Sequence, residues 1–524
     1  MPAAARSSTH QRSTHAKNRA DGRIHCPDVV RGRLRLGIGF RFGQDRHRRH
    51  PHPGPPLVAA QPWDLADAGL GNNAQYYQPV YDSLFRLSPT AAVKPNLATK
   101  WSYDAARTVL TLTLRSGVKF TDGTALDAAA VKANLLHTKG GTSEAAGQLT
   151  SISGVDVVNA TTVAIKLSAP DPSLVPNLGN VAGMIASPKA ITAGTIKTDP
   201  VGSGPYTLDK SATTAGSTYT FVRNPGYWNK AAFPFDKIVL KPLTDPPAVL
   251  NALRSGQVNG ALLASAKNIA PAKSSGLTVT KFTSGDVEGV YIWDRAGKIV
   301  KALGDVRVRQ ALNYAFDRST IVKTAKQGLG KSTTQIFNPA GSAYDDSLNS
   351  KYSYDPTKAK QLLAEAGYPN GFSVTVPDVS EVFPDQQAAM VQQLEDIGIK
   401  VKVDKIPATQ FISALLAGKY PLSYMTLASF RAWDTIQIEV AKSALWNPLH
   451  SEDAKVTSLI AKARSATGAT QDALFKELNT YLVDQAWNAP WDSVEATYAT
   501  TKGVTFTPQT FAAVPPIYNF KPVG

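Results

Sequence analysis

The residues able to do chemistry are few and scattered. The chain has eight histidines, and six of them (His10, His15, His25, His47, His50 and His52) fall in its first sixty residues. Only His137 and His450 lie beyond. No Gly-x-Ser-x-Gly elbow, His-Glu-x-x-His pair or phosphate-binding P-loop occurs. The acidic residues show no spacing that points to the paired carboxylates of a glycosidase. The single cysteine, Cys26, can build neither an internal disulfide nor a cysteine-rich zinc site. Catalysis therefore finds little support in the sequence.

Outside the tail, a few side chains admit either a recognition role or an ordinary structural one. Asp434 can hold a ligand ammonium by a charge-assisted hydrogen bond, strongest in a water-poor cleft. Arg431 favours a carboxylate or other anion. Trp433, like Trp293 further up the chain, can stack on a ligand. Each has an ordinary alternative: a helix cap or surface acid for Asp434, core packing for the two tryptophans. Tyr76 and Tyr77 stand between cleft lining and packing in the same way. Arg307 and Arg309 read as solvated or in surface ion pairs. Gly202 and Gly204 are too few to cradle a phosphate, and Pro205 removes a backbone donor beside them, so the stretch reads as a structural turn.

The elements that position these groups are legible in the periodicity. Val109-Leu-Thr-Leu-Thr-Leu114 alternates as a half-buried strand. Asp127 can cap a helix through Leu136, and Val155 to Leu167 reads as a hairpin broken near Asn159-Ala-Thr161. Tyr219–Val222 and Ile238–Leu240 are short strands, and Val249–Leu253 is a short helix. Asp305 can cap a helix whose buried face is Val308, Ala311, Leu312, Ala315 and Phe316. Asp355-Pro356 opens another, ended by Gly367. Phe372–Val376, Pro384–Ile397 and Ile399–Val403 make strand, helix and strand, a βαβ unit. The body is mixed α/β.

Length and charge bound the rest. At 524 residues, two or three domains are expected. No apolar run reaches the length of a membrane span. The net charge of +16 invites a nucleic-acid hypothesis, but residues 1–60 carry twelve Arg and Lys against three Asp. The excess is mostly a tail effect. That tail has three readings: a basic nucleic-acid arm, an export signal, or non-native sequence from a misplaced start or frame. No apolar h-region supports the second, and the abrupt change in composition favours the third. The tail is expected to be without order, and the histidines at 47, 50 and 52 are assigned no function.

Along the body, ordered blocks resemble a known family. They are Tyr81-Asp-Ser-Leu-Phe85 with Pro95-Asn-Leu-Ala98 and Trp101; Leu112-Thr-Leu-Arg-Ser-Gly-Val-Lys-Phe-Thr-Asp-Gly-Thr124; and Ala130-Val-Lys-Ala-Asn-Leu135. Val201-Gly-Ser-Gly-Pro-Tyr206, Arg223-Asn-Pro-Gly-Tyr-Trp228 and Phe235-Asp-Lys-Ile238 follow. Then come Asp305-Val-Arg-Val-Arg-Gln-Ala-Leu-Asn-Tyr-Ala-Phe-Asp-Arg318 and Tyr354-Asp-Pro-Thr-Lys-Ala-Lys-Gln-Leu-Leu-Ala-Glu-Ala-Gly-Tyr368. The chain resembles the extracytoplasmic solute-binding proteins of ABC importers, family 5, the peptide- and nickel-type group.

The resemblance implies an α/β, two-lobed periplasmic-binding-protein-like fold of class II type, with an extra subdomain in the first lobe. It places lobe 1 at 61–284 with an inserted subdomain at about 76–199, lobe 2 at 285–490, and a return to lobe 1 at 491–524. The hinge crossings fall near 285 and 490. It implies capture of a small solute, most simply a peptide, between the lobes, closure by hinge motion, and delivery to an ABC transporter permease. A nickel chelate, an oligosaccharide or an anionic solute is the alternative ligand, and a basic nucleic-acid binder the alternative outside this class. No cofactor, no metal and no nucleic-acid partner are implied. The protein would act as a monomer, peripheral to the membrane, in an extracytoplasmic location.

Two departures stand out. The family opens its body with a strand before a Leu-Asp-Pro turn; here Val58-Ala-Ala-Gln-Pro-Trp-Asp-Leu-Ala-Asp67 stands there, which predicts a lost strand and an unpaired sheet edge. Peptide binders of the family place an acid near a Trp and an Asp-Pro pair. Asp434 fits that acid without the proline, and Arg431 is the competing occupant. The resemblance thus implies Asp434, Arg431, Trp433 and Trp293 as ligand-binding residues.

Overall fold

Alternation decides the first strands. In the computed structural model, which describes residues 37–43, 62–243, 245–407, 410–512 and 514–523, apolar side chains of successive strands turn inward together. Within the first lobe come β1 (Gly37–Gly43, described by its backbone), β2 (Phe85–Leu87), β3 (Ala98–Tyr103) and β4 (Val109–Leu114). Leu110, Leu112 and Leu114 are buried while the intervening threonines are half-exposed. Each such leucine contributes roughly 1.5–3 kcal/mol by leaving water. Helix α1 (Ala128–Lys139) starts where the Asp127 carboxylate accepts the Ala130 amide. The hairpin β5 (Ile152–Asn159) and β6 (Thr162–Leu167) completes a four-stranded antiparallel sheet in the order β3-β4-β6-β5.

A second, larger sheet ties the molecule together. Its strands are β7 (Tyr206–Leu208), β8 (Tyr219–Arg223), β9 (Lys237–Leu243), β10 (Gly260–Leu263) and the fifteen-residue β11 (Thr278–Ile292). In the second lobe follow α2 (Val306–Ala315), α3 (Pro356–Glu365), β12 (Ser373–Pro377), α4 (Pro384–Asp396), β13 (Lys400–Asp404) and β14 (Leu422–Ala428). A four-residue helix α5 (Ala432–Thr435) and the returning strand β15 (Ala489–Thr500) complete the elements needed here. The large sheet runs β7-β8-β9-β1-β10-β15-β11-β14, with Lys331–Ser332 pairing beside β15.

The sheet corrects one expectation. β1 lies between β9 and β10, pairing antiparallel from Gly37 opposite Leu243 to Gly43 opposite Lys237, and Phe40 opposite Gly260. The position expected to be an unpaired edge is filled by a strand from further upstream, inside the stretch expected to lack order. Backbone pairing needs no particular side chain, so a compositionally odd segment can supply it. Cys26 and the histidines of the tail lie outside the described residues.

The βαβ reading holds: β12 and β13 pair in parallel, joined through α4. Asp305 and Asp355 cap α2 and α3. The Gly-Ser-Gly turn is structural, since a Cβ on Gly202 would stand 2.1 Å from the Val80 carbonyl oxygen. A second correction concerns α2. Arg307 is exposed and pairs with Asp305 at 2.6 Å. Arg309 is buried and donates to the carbonyls of Leu303 at 2.8 Å, Gly304 at 3.1 Å and Gln485 at 3.0 Å. An interior arginine answered by carbonyls serves packing and not solubility.

The apolar cores divide as two lobes require. One gathers residues from Trp63 to Leu240 together with the returning Ala496, Tyr498 and Phe520. Two others draw on residues between Val290 and Trp491. β11 and β15 run between them. Their pairing shifts register between Thr283 and Val287 and again at Glu288 and Gly289. Gly289 has φ +152°, and a Cβ there would stand 2.5 Å from the Trp491 amide nitrogen. The bulge therefore depends on glycine.

Candidate functional site

A cleft with about 840 Å³ of empty space opens where β11 meets the loop after β14. Its walls come from both lobes: Leu70, Gln78, Asn177 and Asn180 on one side, Phe430, Arg431 and Asp434 on the other. Ser284 and Asp286 of β11 and the segment from Gln509 to Tyr518 close its base. Pairing of β14 with β11, down to Ala428 opposite Asp286, delivers the loop 429–431 to the opening. The Ser429 amide then donates to the Gly285 carbonyl at 2.7 Å, and Asn338 donates to the Ser429 carbonyl at 3.1 Å. The Phe430 amide donates to the Thr435 hydroxyl at 3.2 Å. The loop is held at both ends before any side chain reaches the cleft.

Asp434 lies in the first turn of α5, its side chain 12% exposed, with the Arg431 guanidinium 3.9 Å away. Burial pushes its carboxyl up to about 6, against the opposing pull of Arg431. Arg431 donates to the Ala91 carbonyl of the first lobe at 3.4 Å and lies 5.5 Å from the Phe511 ring centre. Burial lowers the guanidinium's own pKa, again with Asp434 opposing. Asp286 is buried and accepts the Ser284 hydroxyl at 3.2 Å. The arrangement offers two carboxylates and a guanidinium to one space. It can hold a polar solute of either sign at separate points.

The four residues expected at a site are divided. Arg431 and Asp434 border the cleft together. Trp433 does not; it is buried against Phe475, with the Arg464 guanidinium 5.5 Å from its ring. Trp293 is fully buried, stacked on Tyr291 at 5.4 Å, and its indole N–H donates to the Ser423 hydroxyl at 3.0 Å. That position gives a ligand no access to the ring. Tyr76 and Tyr77 are core residues as well. Sequence reasoning missed Ser284, Asp286 and the 509–518 wall. Asp286 sits in Ser284-Gly-Asp286, an unremarkable trio whose exposure to a cleft depends on the crossing strands alone.

Comparison with known proteins bears on this geometry. Residues 92–436 match the family described as bacterial extracellular solute-binding proteins, family 5 Middle. The chain belongs to this family. A curated relative, the glutathione-binding protein GsiB of Salmonella paratyphi A, is 33% identical over 346 residues, 63% of this chain and 64% of that protein. The chain thus aligns with somewhat under two thirds of the length of that relative. Among solved structures, the binding protein AgaA of A. tumefaciens in complex with agropinic acid has a TM-score of 0.73 at 25% identity. The match covers 89% of this chain and 97% of that one. DppA of Helicobacter pylori, solved with the peptide STSA, has a TM-score of 0.72 at 21% identity over 88% of this chain and 96% of that one, a likeness of fold. The two-lobed family 5 fold is thereby established for this chain.

Proposed function

We propose that this family 5 protein captures a small peptide in the interlobe cleft and hands it to the permease of an ABC importer outside the cytoplasm. The observation that carries the reading is the pair Arg431 and Asp434, half-buried at the rim of the interlobe space that Asp286 also borders. A peptide amino terminus is an ammonium, and a carboxylate shielded from water holds it strongly. GsiB, whose name gives a modified tripeptide as its ligand, supports the same class. The strand crossings at β11 and β15, with their register shifts, are the proposed hinge.

Asp434 and Arg431 are the proposed ligand contacts. Protonation of Asp434 near pH 6 would weaken an ammonium contact, so peptide affinity should fall as the pH drops below about 6. The test is a thermal-shift and calorimetric titration of the full chain with tri-alanine and with glutathione. A ligand that binds only the folded form raises the melting temperature as RT ln(1 + [L]/Kd). Saturable binding, weakened in Asp434→Asn, supports the reading, and absence of any peptide shift overturns it. A second reading, an anionic solute, is favoured by Arg431; a shift with organic acids alone, lost in Arg431→Gln, would select it.

A further inference from the structure

Beside the cleft lies a smaller space of about 330 Å³, bordered by Asp82, Arg86, Asn96 and Phe233. Gln78, Gly179, Asn180 and Tyr518 border both spaces, so the small one adjoins the large one. Arg86 projects from β2, the short strand paired with Val93–Pro95. Its guanidinium carbon lies 5.1 Å from the Phe233 ring centre and 5.0 Å from that of Tyr518. Two aromatic rings thus fix the direction of a long side chain. Its one hydrogen bond to a side chain is a long donation to the Tyr227 hydroxyl at 3.5 Å.

A guanidinium has five N–H donors, and no carboxylate of the described residues stands within ion-pair distance of this one. The acid nearest in the wall, Asp82, is committed elsewhere. Its two oxygens accept the Tyr227 hydroxyl at 2.9 Å and the Trp228 indole N–H at 3.0 Å. Asp82 therefore holds Tyr227, and Tyr227 helps to hold Arg86. The result is a pre-set, half-buried cation with spare donors bordering a space that adjoins the cleft. A carboxylate fits such a fork in a two-pronged contact.

We propose that Arg86 is the carboxylate-recognising residue of this adjoining subsite, so that the bound solute carries a free terminal carboxylate there and its ammonium near Asp434. This inference rests on the peptide reading and adds a requirement to it. The ligand must be dipolar, and a peptide blocked at its carboxyl end must bind poorly.

The experiment is calorimetric titration of the full chain with tri-alanine and with tri-alanine amide. The wild type is expected to bind the acid at least tenfold more tightly than the amide. Arg86→Gln should bring that ratio close to one by weakening the acid alone, whereas Arg86→Lys, which keeps the charge, should keep part of the discrimination. Asp434→Asn should weaken acid and amide by the same factor and leave the ratio intact. A cooperative melt of each variant checks folding, and Arg86→Lys serves if Arg86→Gln does not fold. Tight binding of both peptides with no discrimination, or a ratio unchanged in the Arg86 variants, overturns the assignment while the peptide reading stands. Binding of neither peptide overturns both.

Discussion

Two charged clusters flank the crossing strands, and they are built on opposite terms. In the cleft, Arg431 and Asp434 stand 3.9 Å apart beside open space, loosely paired. Deeper in the second lobe, Lys326 is buried between Glu288 of β11 and Asp492 of β15. It contacts the Glu288 carboxylate and stands 3.5 Å from Asp492 Oδ2. The Thr426 hydroxyl adds a donor to Glu288 at 3.3 Å. Burial raises the Asp492 carboxyl well above its usual range, with the neighbouring Glu288 adding to the effect. The inner cluster is enclosed and pairs its charges with one another, Lys326 standing at ion-pair distance from both acids, while the Asp492 oxygens have no hydrogen-bond partner among the described residues. The outer one is loosely paired and borders open space. Charged groups in one fold therefore divide by what lies on their open side, not by residue type.

The largest break in this contrast should come from the enclosed cluster. Lys326→Met leaves two carboxyl groups facing each other without a cation, and the expected loss is about 3–5 kcal/mol of stability in denaturant unfolding. Unchanged stability would mean that the cluster is no part of the architecture. The next effect is a slope with pH. The folded-state pKa of Asp434, about 6, lies above the unfolded value of 3.8. The folded form holds this proton more tightly, so the group's contribution is complete below about pH 4 and lost as the pH rises through about 6. Its size is at most about 3 kcal/mol. Asp434→Asn should flatten that part of the melting-temperature profile, and an unaltered profile would remove Asp434 as its source.

Arg309→Met should cost about 2 kcal/mol, because the carbonyls of Leu303, Gly304 and Gln485 lose buried donors. At the cleft, Asp434→Asn should weaken tri-alanine binding about tenfold, or about 1.4 kcal/mol, while the fold stays intact. The reverse result, a collapse of stability with affinity preserved in the molecules that fold, would move Asp434 to the enclosed class. The smallest effect is expected from Arg307→Met. This exposed pair with Asp305 should leave the melting temperature where it was, two residues from a position that cannot be changed freely.

The pair Arg307 and Arg309 also shows where reading from sequence stops. The period of α2 correctly placed Val308, Ala311 and Leu312 in the core. It assigned both arginines to the polar face, and only the packing of Leu303 and Gln485 against the helix turned one of them inward. Trp293 and Trp433 teach the same point in reverse. Their types admit a stacking role, but the neighbours Tyr291 and Phe475 took both rings into the interior. Arg86 was passed over because a single arginine in a short strand carries no pattern. Its meaning comes from Phe233 and Tyr518, about 150 and 430 residues away in the chain.

The sequence by itself determined the elements and the family. Alternation along Val109–Leu114, the caps Asp127, Asp305 and Asp355, and the βαβ run from residue 372 to 404 are local, and local physics writes them into neighbouring residues. The blocks that carry the family resemblance are likewise contiguous. Tertiary structure alone decided that Gly37–Gly43 fills the gap between β9 and β10. It also decided that Asp286, Arg431, Asp434 and Arg86 border adjoining spaces, and that Lys326 is enclosed between two strands. Those outcomes depend on contacts between residues far apart in the chain. Desolvation and ring contacts act on what is near in space, and the spacing of residues along a sequence does not record that nearness.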